Sequence, residues 1–291
     1  MPEHHFLNLG AGVQSTALYL LSIDGDEPEV PRFDAAIFAD TQEEPDEVYR
    51  HLEWLEKQGG PTIVRTTAGR LGDALDQGSD ASGNTRTDGG HYISIPAFTL
   101  HPQTGQKGII QRQCTADFKV KPIERLIREH CGGQFGRPLP KDVIVHQYMG
   151  LSFDEPKRVI RVKERFLAKP SNWKVHFPLW EMQWDRGDCK SYLRERMPYE
   201  VPRSACVFCP FKSDEEWRRL KADDPKGWER AVHIDKVCRT GTGLDAHRYL
   251  HKACVPLDEV DLRPVDEKSG QMNMFRHLRG FQDECEGYCG N

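Results

Sequence analysis

Short apolar runs alternate with amphipathic segments through the first half of the chain. Buried strands are predicted at 6–9, 34–39 and 62–66, each bounded by glycine, proline or polar residues. Helices are predicted over 15–21 and 45–58, the second because Val48, Leu52 and Leu55 recur at helical spacing. Alternation of strands and helices is typical of an α/β fold with a doubly wound, mostly parallel, Rossmann-like sheet.

The pattern changes after residue 76. Residues 77–108 are rich in Gly, Ser, Thr and Asp and predict a long loop, of the kind that serves as a substrate lid or mobile segment. A helix over 117–130 and a strand over 143–149 follow. Beyond residue 170 the chain is irregular and aromatic, with short helices predicted near 187–196, 213–222 and 225–236. Two domains are therefore predicted, an α/β domain over 1–170 and a smaller helical C-terminal region over 171–291.

Composition narrows the class of protein. The 291 residues include 40 Lys and Arg against 45 Asp and Glu, a net charge of −5, which does not indicate an overall polycationic nucleic-acid binder. The sequence has no apolar run of about 18 residues, so no membrane span is predicted. No secretory signal is visible and the nine cysteines are odd in number, so we expect a cytoplasmic, reducing environment in which cysteine clusters serve metal binding or catalysis.

A glycine turn follows the first predicted strand, in the segment FLNLGAGVQSTAL. Gly10 and Gly12 permit positive φ and a close approach of an anion, while Ser15 and Thr16 add hydroxyl donors at the start of a helix. The turn therefore predicts phosphate binding, although many α/β proteins carry such a turn with no phosphate. It is neither the G-x-G-x-x-G dinucleotide motif nor a Walker A loop.

The turn resembles the SGGxDS motif of the PP-loop superfamily, which includes ATP pyrophosphatases and phosphoadenylyl-sulfate reductases. Gly10 stands where that motif has its first Ser, and Gln14 stands where it has Asp. The resemblance implies a site for ATP, adenylyl sulfate or its 3′-phosphate (PAPS). The implied ligands from the turn are Gly10, Ala11, Gly12, Gln14, Ser15 and Thr16. Because Gln14 is neutral, the carboxylate that would support magnesium-assisted transfer of AMP is missing from the turn.

Further segments resemble the phosphoadenylyl-sulfate reductase branch in the expected order. They lie at 37–49, 112–127, 149–158, 176–193 and 204–211. In that family the end of the second strand cradles adenosine, which implies contacts from Phe38, Ala39 and Asp40; a helix N-cap is the alternative role for Asp40. The basic residues implied to neutralise the phosphates are Arg112, Lys119, Arg158 and Arg161, with ordinary surface charge as the alternative.

Cys206 and Cys209 form a C-x-x-C pair, a spacing that suits one metal or cluster, or a redox dithiol. The resemblance to the iron–sulfur branch implies a [4Fe–4S] cluster held by these two thiolates and Cys114, whose usual neighbouring cysteine is replaced by Thr115. The fourth ligand is then Cys189, Cys285 or Cys289, or one iron stays open. Zinc, with Cys114 or a histidine added to the C-x-x-C pair, is the alternative cofactor.

The tail DECEGYCGN resembles the mobile Glu-Cys-Gly end of these reductases, whose cysteine attacks the sulfate sulfur. The implied nucleophile is Cys285 or Cys289, and a structural tail or a fourth cluster ligand are the alternatives.

The expected function is iron–sulfur-dependent sulfur transfer or reduction, with a thiol reductant or sulfur donor as partner. ATP-dependent thiolation of tRNA or DNA, and a nucleotide-sensing protein without turnover, are the alternatives. Packing roles are expected for the remaining cysteines, Cys131, Cys238 and Cys254.

Overall fold

The computed structural model describes residues 1–85, 92–110, 113–239 and 247–264. Its strands are β1 (Glu3–Asn8), β2 (Ala35–Ala39), β3 (Thr62–Thr66), β4 (Ala97–Leu100), β5 (Lys107–Ile110), β6 (Ile144–Met149), β7 (Trp173–His176) and β8 (His247–Tyr249). The helices are α1 (Val13–Asp24), α2 (Asp46–Glu56), α3 (Leu71–Gln77), α4 (Lys121–His130), α5 (Pro156–Leu167), α6 (Pro178–Glu181), α7 (Arg186–Arg194), α8 (Asp214–Asp223) and α9 (Pro225–Arg239). A π-helical turn, Ala116–Val120, leads directly into α4.

The described residues form two compact units. The sheet unit comprises Met1–Ala68 and Thr115–Ser204, and the second unit comprises Gly69–Cys114 and the described residues from Ala205 onward. This division departs from the predicted boundary at residue 170. Residues 171–204 stay with the parallel sheet because β7 is its edge strand and α7 packs against α1.

The sheet unit is built on a five-stranded sheet in the order β3-β2-β1-β6-β7, with every neighbouring pair parallel. Successive residues of a strand face opposite sides, so Leu7 packs with helices α1, α2 and α7 while Phe6 packs with α4 and α5. Helices therefore cover both faces of the sheet. The predicted doubly wound α/β fold is confirmed.

The second unit contains an antiparallel sheet in the order β5-β4-β8, together with α3, α8 and α9. Trp217 of α8 is fully buried and meets Trp228 edge to face. Asp235 of α9 is also fully buried, and its carboxylate accepts hydrogen bonds from the backbone N–H groups of Leu250 and Leu257. These contacts tie the segment around β8 to α9.

The prediction of one long loop over 77–108 is wrong in its second half. Residues 97–100 form β4, and β5 begins at Lys107. Strand β4 was not predicted because the buried apolar residues begin before the strand, at Ile93 and Ile95. Ser and Pro interrupt that stretch and obscure the strand pattern. No helix in the described part of the chain is both long and apolar enough to cross a membrane.

Candidate functional site

The glycine turn lies at the carboxyl end of β1, the central strand of the parallel sheet. Ala11 takes the left-handed conformation, with φ of 58°. Gly12 is the N-cap of α1 with φ of −100°, and Gly10 also lacks a positive φ. The expectation that the glycines supply the positive φ is therefore wrong. Because glycine has no Cβ, Gly10 and Gly12 allow an anion to approach the backbone closely.

The Ser15 hydroxyl forms hydrogen bonds with the backbone of this turn. It accepts a hydrogen bond from the Gly10 N–H at 3.2 Å and donates to the Gly12 carbonyl at 3.3 Å. The Ser15 side chain is fully buried. Its hydroxyl therefore shapes the turn in this structure. The amino end of α1 has no side-chain cap and no acidic residue in its first turn, so the positive end of its dipole is not offset by a side chain of α1 itself.

The strand order reverses between β1 and β6, because the chain runs from β1 outward to β3 and then returns to β6 on the other side. In open parallel sheets, ligands bind at the carboxyl ends of the strands on either side of such a switch point. Gln14, just after the turn, donates through Nε2 to Ser152 Oγ at 3.3 Å and to Glu155 Oε2 at 3.2 Å. Both partners follow β6, so this hydrogen bonding spans the switch point.

Charged side chains surround Gln14. Arg186, at the start of α7, donates to Gln14 Oε1 at 3.3 Å. Arg158 forms an ion pair with Glu155, and both side chains are nearly buried. The side chains at the switch point therefore bring two guanidinium groups and one carboxylate beside the helix terminus. Arg161, another implied phosphate ligand, is exposed on α5.

The end of β2 is fixed by Asp40. Its carboxylate accepts hydrogen bonds from the Gln42 backbone N–H at 2.7 Å and the Tyr49 hydroxyl at 2.9 Å. Burial, and then the charge of Asp40, raise the pKa of Tyr49 well above its usual range. The alternative role of Asp40 as helix cap is wrong, because Pro45 is the N-cap of α2. Phe38 is buried in the sheet.

Lys119 lies in the π-helical turn and forms a buried ion pair with Glu44, with Nζ 3.2 Å from Oε1. Both side chains are almost inaccessible to solvent, and Ser204 Oγ lies 3.4 Å from the other Glu44 oxygen. Lys119, which was implied to bind phosphate, is therefore paired with the Glu44 carboxylate in this structure. Arg112, implied for the same role, lies outside the described residues.

Thr16, the last implied residue of the turn, contacts a buried histidine. Its Oγ1 lies 2.9 Å from His51 Nε2, and His51 Nδ1 lies 3.1 Å from the Tyr199 hydroxyl. His51 is fully inaccessible to solvent. Burial lowers the pKa of His51 from 6.5 to about 4, since no acidic group compensates a charge there. His51 is therefore neutral at physiological pH and holds α1 against α2.

The lowered pKa of His51 predicts loss of stability in mild acid. The unfolded chain takes up this proton first as the pH falls, so the stabilisation is complete above about pH 6.5 and is lost progressively towards pH 4. Between pH 7 and pH 5 this proton uptake should cost about 2 kcal/mol of stability. Urea unfolding at pH 7 and pH 5 measures it, and His51→Gln should show a weaker pH dependence than the wild type. An identical dependence in the two proteins would contradict this assignment.

The described cysteines fall into two groups. Cys114, Cys206 and Cys209 are partly exposed and all belong to the second unit. The Cys209 N–H donates to the Cys206 carbonyl at 2.9 Å, so the two cysteines stand at the ends of one tight turn. The other four are buried: Cys131, Cys238 and Cys254, as expected for packing residues, and Cys189, which was predicted as a possible fourth ligand. Burial raises the pKa of Cys131 to about 11 and that of Cys238 to about 12, which keeps these thiols protonated.

Cys189, one candidate for the fourth ligand, lies in α7 within the hydrophobic core of the sheet unit, with no solvent exposure. That placement favours a packing role. Cys285 and Cys289, the implied nucleophiles and the other candidate ligands, lie outside the described residues. The structure therefore places three of the predicted metal ligands in one unit and Cys189 in the other.

A single tetrahedral zinc ion holds its thiolate sulfurs about 3.8 Å apart. Among the described residues, one group of three or more potential ligands has its ligand atoms within 4.8 Å of one another, and that group is Glu3, His5 and His146. The three thiols of the second unit are thus not preassembled around one ion. A cubane cluster needs wider spacing, because each thiolate binds a different iron atom.

Sequence reasoning missed several residues beside the turn. Ser152, Glu155 and Arg186 approach Gln14 from segments 138 to 172 residues away along the chain. Ser152 and Glu155 lie in the segment MGLSFDEPKR, whose position after a predicted strand was a signal for the carboxyl edge of the sheet. Arg186 and His51 carry no local signal, since tertiary packing alone brings them to α1.

Comparison of the chain with models of protein families, with curated proteins and with solved structures finds no match. The function of the chain is therefore inferred from the residues around the glycine turn and from the sequence motifs.

Proposed function

We propose that this protein binds an adenine nucleotide at the glycine turn and carries out sulfur transfer or reduction with the help of an iron–sulfur cluster. The observation that carries the proposal is the position of the turn. It stands at the carboxyl end of β1, beside the switch point of a five-stranded parallel sheet, where nucleotides bind in folds of this topology. The resemblance to PP-loop enzymes supplies the adenine nucleotide as the ligand class.

The side chains around Gln14 support phosphate binding. Arg186 and Arg158 bring positive charge to the amino end of α1, where the helix dipole also favours an anion. Guanidinium groups suit phosphate because they donate two parallel hydrogen bonds. Glu155 provides a carboxylate 3.2 Å from the amide of Gln14. We propose that Glu155 replaces the carboxylate that the turn itself lacks.

Thiolates are the usual ligands of iron–sulfur clusters, so the three thiols of the second unit are of the right chemical type for one. Cys206 and Cys209 would supply two ligands from one tight turn, and Cys114 the third. When bound, such a cluster supplies a Lewis-acidic or sulfur-carrying iron. The roles of the chain itself are to hold these thiolates, to bind the phosphates near Arg186 and to fix the edge of β2 through Asp40.

Two versions of the chemistry differ in their products. Reduction of adenylyl sulfate or its 3′-phosphate releases sulfite, whereas activation of a nucleic-acid oxygen by ATP releases AMP or pyrophosphate. The replacement of Asp by Gln14 disfavours the second version, and the carboxylate of Glu155 favours it. Assimilatory sulfate reduction is therefore one of two outcomes to be separated by experiment.

Anaerobically purified protein should be incubated with labelled ATP and, separately, with labelled adenylyl sulfate and a dithiol. We expect sulfite from adenylyl sulfate. Release of AMP or pyrophosphate from ATP, dependent on added nucleic acid, would instead assign the activating chemistry. Tight binding without either product would identify a nucleotide sensor, and neither binding nor product would contradict the proposal.

A further inference from the structure

Glu3, His5 and His146 lie in the amino-terminal halves of β1 and β6, away from the glycine turn at the carboxyl end of β1. In β1 and β6, which are adjacent and parallel, Glu3 pairs with Ile144 and His5 pairs with His146. Because alternate residues face the same side of a sheet, Glu3, His5 and His146 share one face. Tyr148 and His176 continue this face towards β7.

The three side chains approach one another closely enough for one ion. One ligand atom from each of Glu3, His5 and His146 lies within 4.8 Å of the other two. His146 Nε2 is already 3.3 Å from Glu3 Oε2. A tetrahedral ion with nitrogen and oxygen ligands at 2.0–2.2 Å separates its ligand atoms by about 3.3 Å. The Glu3–His146 pair therefore has the required spacing. Because the His5 ring is stacked on the His146 ring, one of the two rings must turn before both imidazoles can bind one ion.

Hydrogen bonds at Nδ1 fix the rings of His5 and His146, which lie stacked with centroids 4.7 Å apart and planes 10° from parallel. His5 Nδ1 lies 2.9 Å from the Tyr148 hydroxyl, and His146 Nδ1 lies 2.8 Å from His176 Nε2. Histidines that bind metals usually have their second ring nitrogen fixed in this way by a hydrogen-bonding partner. These contacts occupy Nδ1 of each ring and leave Nε2 as the nitrogen available to an ion.

His146 Nε2 is buried. Within the part of the chain that the structure describes it makes no hydrogen bond, although Glu3 Oε2 lies 3.3 Å away.

We infer that Glu3, His5 and His146 form a binding site for a single divalent transition-metal ion of the zinc type. Two imidazoles and a carboxylate suit such an ion, and they leave a fourth position for water or an exogenous ligand. The Glu3 side chain is about half exposed, at 52%, which gives the ion a route from solvent. The site uses none of the cysteines and none of the residues near the glycine turn, so it stands independently of the proposed function.

Titration of the full-length protein with Co²⁺ tests this inference. Cobalt bound by thiolates gives an intense near-ultraviolet charge-transfer absorption, which imidazole and carboxylate ligands do not give, so the cysteine site is distinguished in the same spectrum. We expect the wild type to bind one Co²⁺ per chain whose d–d absorption has no matching charge-transfer band; any Co²⁺ bound by Cys206 and Cys209 would add such a band and is counted separately. Zn²⁺ should displace this Co²⁺.

Three variants locate the ion. Glu3→Gln and His146→Ala should each weaken binding of this Co²⁺ at least tenfold, and Tyr148→Phe, which removes a supporting hydroxyl, by about 10- to 100-fold. His4→Ala is the matched control and should bind like the wild type, because His4 points to the other face and its ring packs edge-on against His130.

Equal Co²⁺ binding by the wild type, Glu3→Gln and His146→Ala would overturn the inference. A wild-type spectrum that contains only thiolate-bound cobalt would also overturn it. Glu3→Gln keeps the test decisive if His146→Ala fails to fold, since Glu3 is half exposed and its amide replacement preserves its size.

Discussion

Cys206→Ser should abolish binding of the iron–sulfur cluster. Cys206 and Cys209 stand at the two ends of one tight turn, and the chain offers no second C-x-x-C pair to replace them. Removal of one thiolate from a three-cysteine set leaves too few ligands to hold a cluster. Iron content after anaerobic reconstitution should fall from about four atoms per chain to less than about one, with loss of the broad visible absorption near 400 nm.

Cys131→Ser is the matched control for this experiment. Cys131 is buried in the sheet unit, and its pKa, raised to about 11 by burial, keeps it a protonated thiol. The variant should retain the iron, sulfide and absorption of the wild type. A wild-type protein that stays colourless and iron-free after reconstitution would contradict the cluster, as would an unchanged iron content in Cys206→Ser.

Lys119→Met should destabilise the fold by about 3–5 kcal/mol. The substitution removes the only charge shown to pair with Glu44 among the described residues, and the Glu44 side chain has no solvent exposure. A buried carboxylate without its cation loses the Coulombic attraction that offsets its desolvation. Urea unfolding monitored by circular dichroism at pH 7 measures the change.

Lys121→Met is the matched control, two residues further along the chain. Lys121 also forms an ion pair, with Asp117, but its side chain is 61% exposed, so its loss should cost less than about 1 kcal/mol. The double variant Lys119→Met, Glu44→Met should recover much of the loss, because no uncompensated charge remains buried. Equal stabilities of Lys119→Met and Lys121→Met would contradict the assigned role of the buried pair.

The sequence predicted the elements whose hydrophobic pattern is strong and local. Strands β1, β2, β3 and β6 and helices α2, α7, α8 and α9 lie within a few residues of their predicted positions. Strand β7 was not predicted, because it has only four residues and lies within an aromatic, irregular segment. Helix α5 was missed because six of its twelve residues are charged, and among its apolar side chains only Val159, Val162 and Phe166 are buried.

The candidate site was predictable in its backbone and less so in its side chains. The glycine turn followed from a strand, a break and a helix start, all of which are local signals. The conformation of Ala11 was not predictable, since a left-handed alanine is uncommon and depends on the surrounding fold. The pairing of Lys119 with Glu44 spans 75 residues, and the approach of Arg186 to Gln14 spans 172. Contacts of that range are decided by tertiary packing.

An adenine nucleotide should bind at the switch point beside the glycine turn. Equilibrium dialysis with labelled ATP and Mg²⁺ measures this binding in the wild type, in Arg186→Ala and in the control Arg196→Ala. Arg196 follows the same helix α7 but pairs with Asp24 at 2.7 Å, away from the turn. We expect one ATP per chain, affinity about tenfold weaker in Arg186→Ala, and wild-type affinity in Arg196→Ala. No saturable binding by the wild type, or equal affinities of the wild type and Arg186→Ala, would contradict nucleotide binding at the switch point.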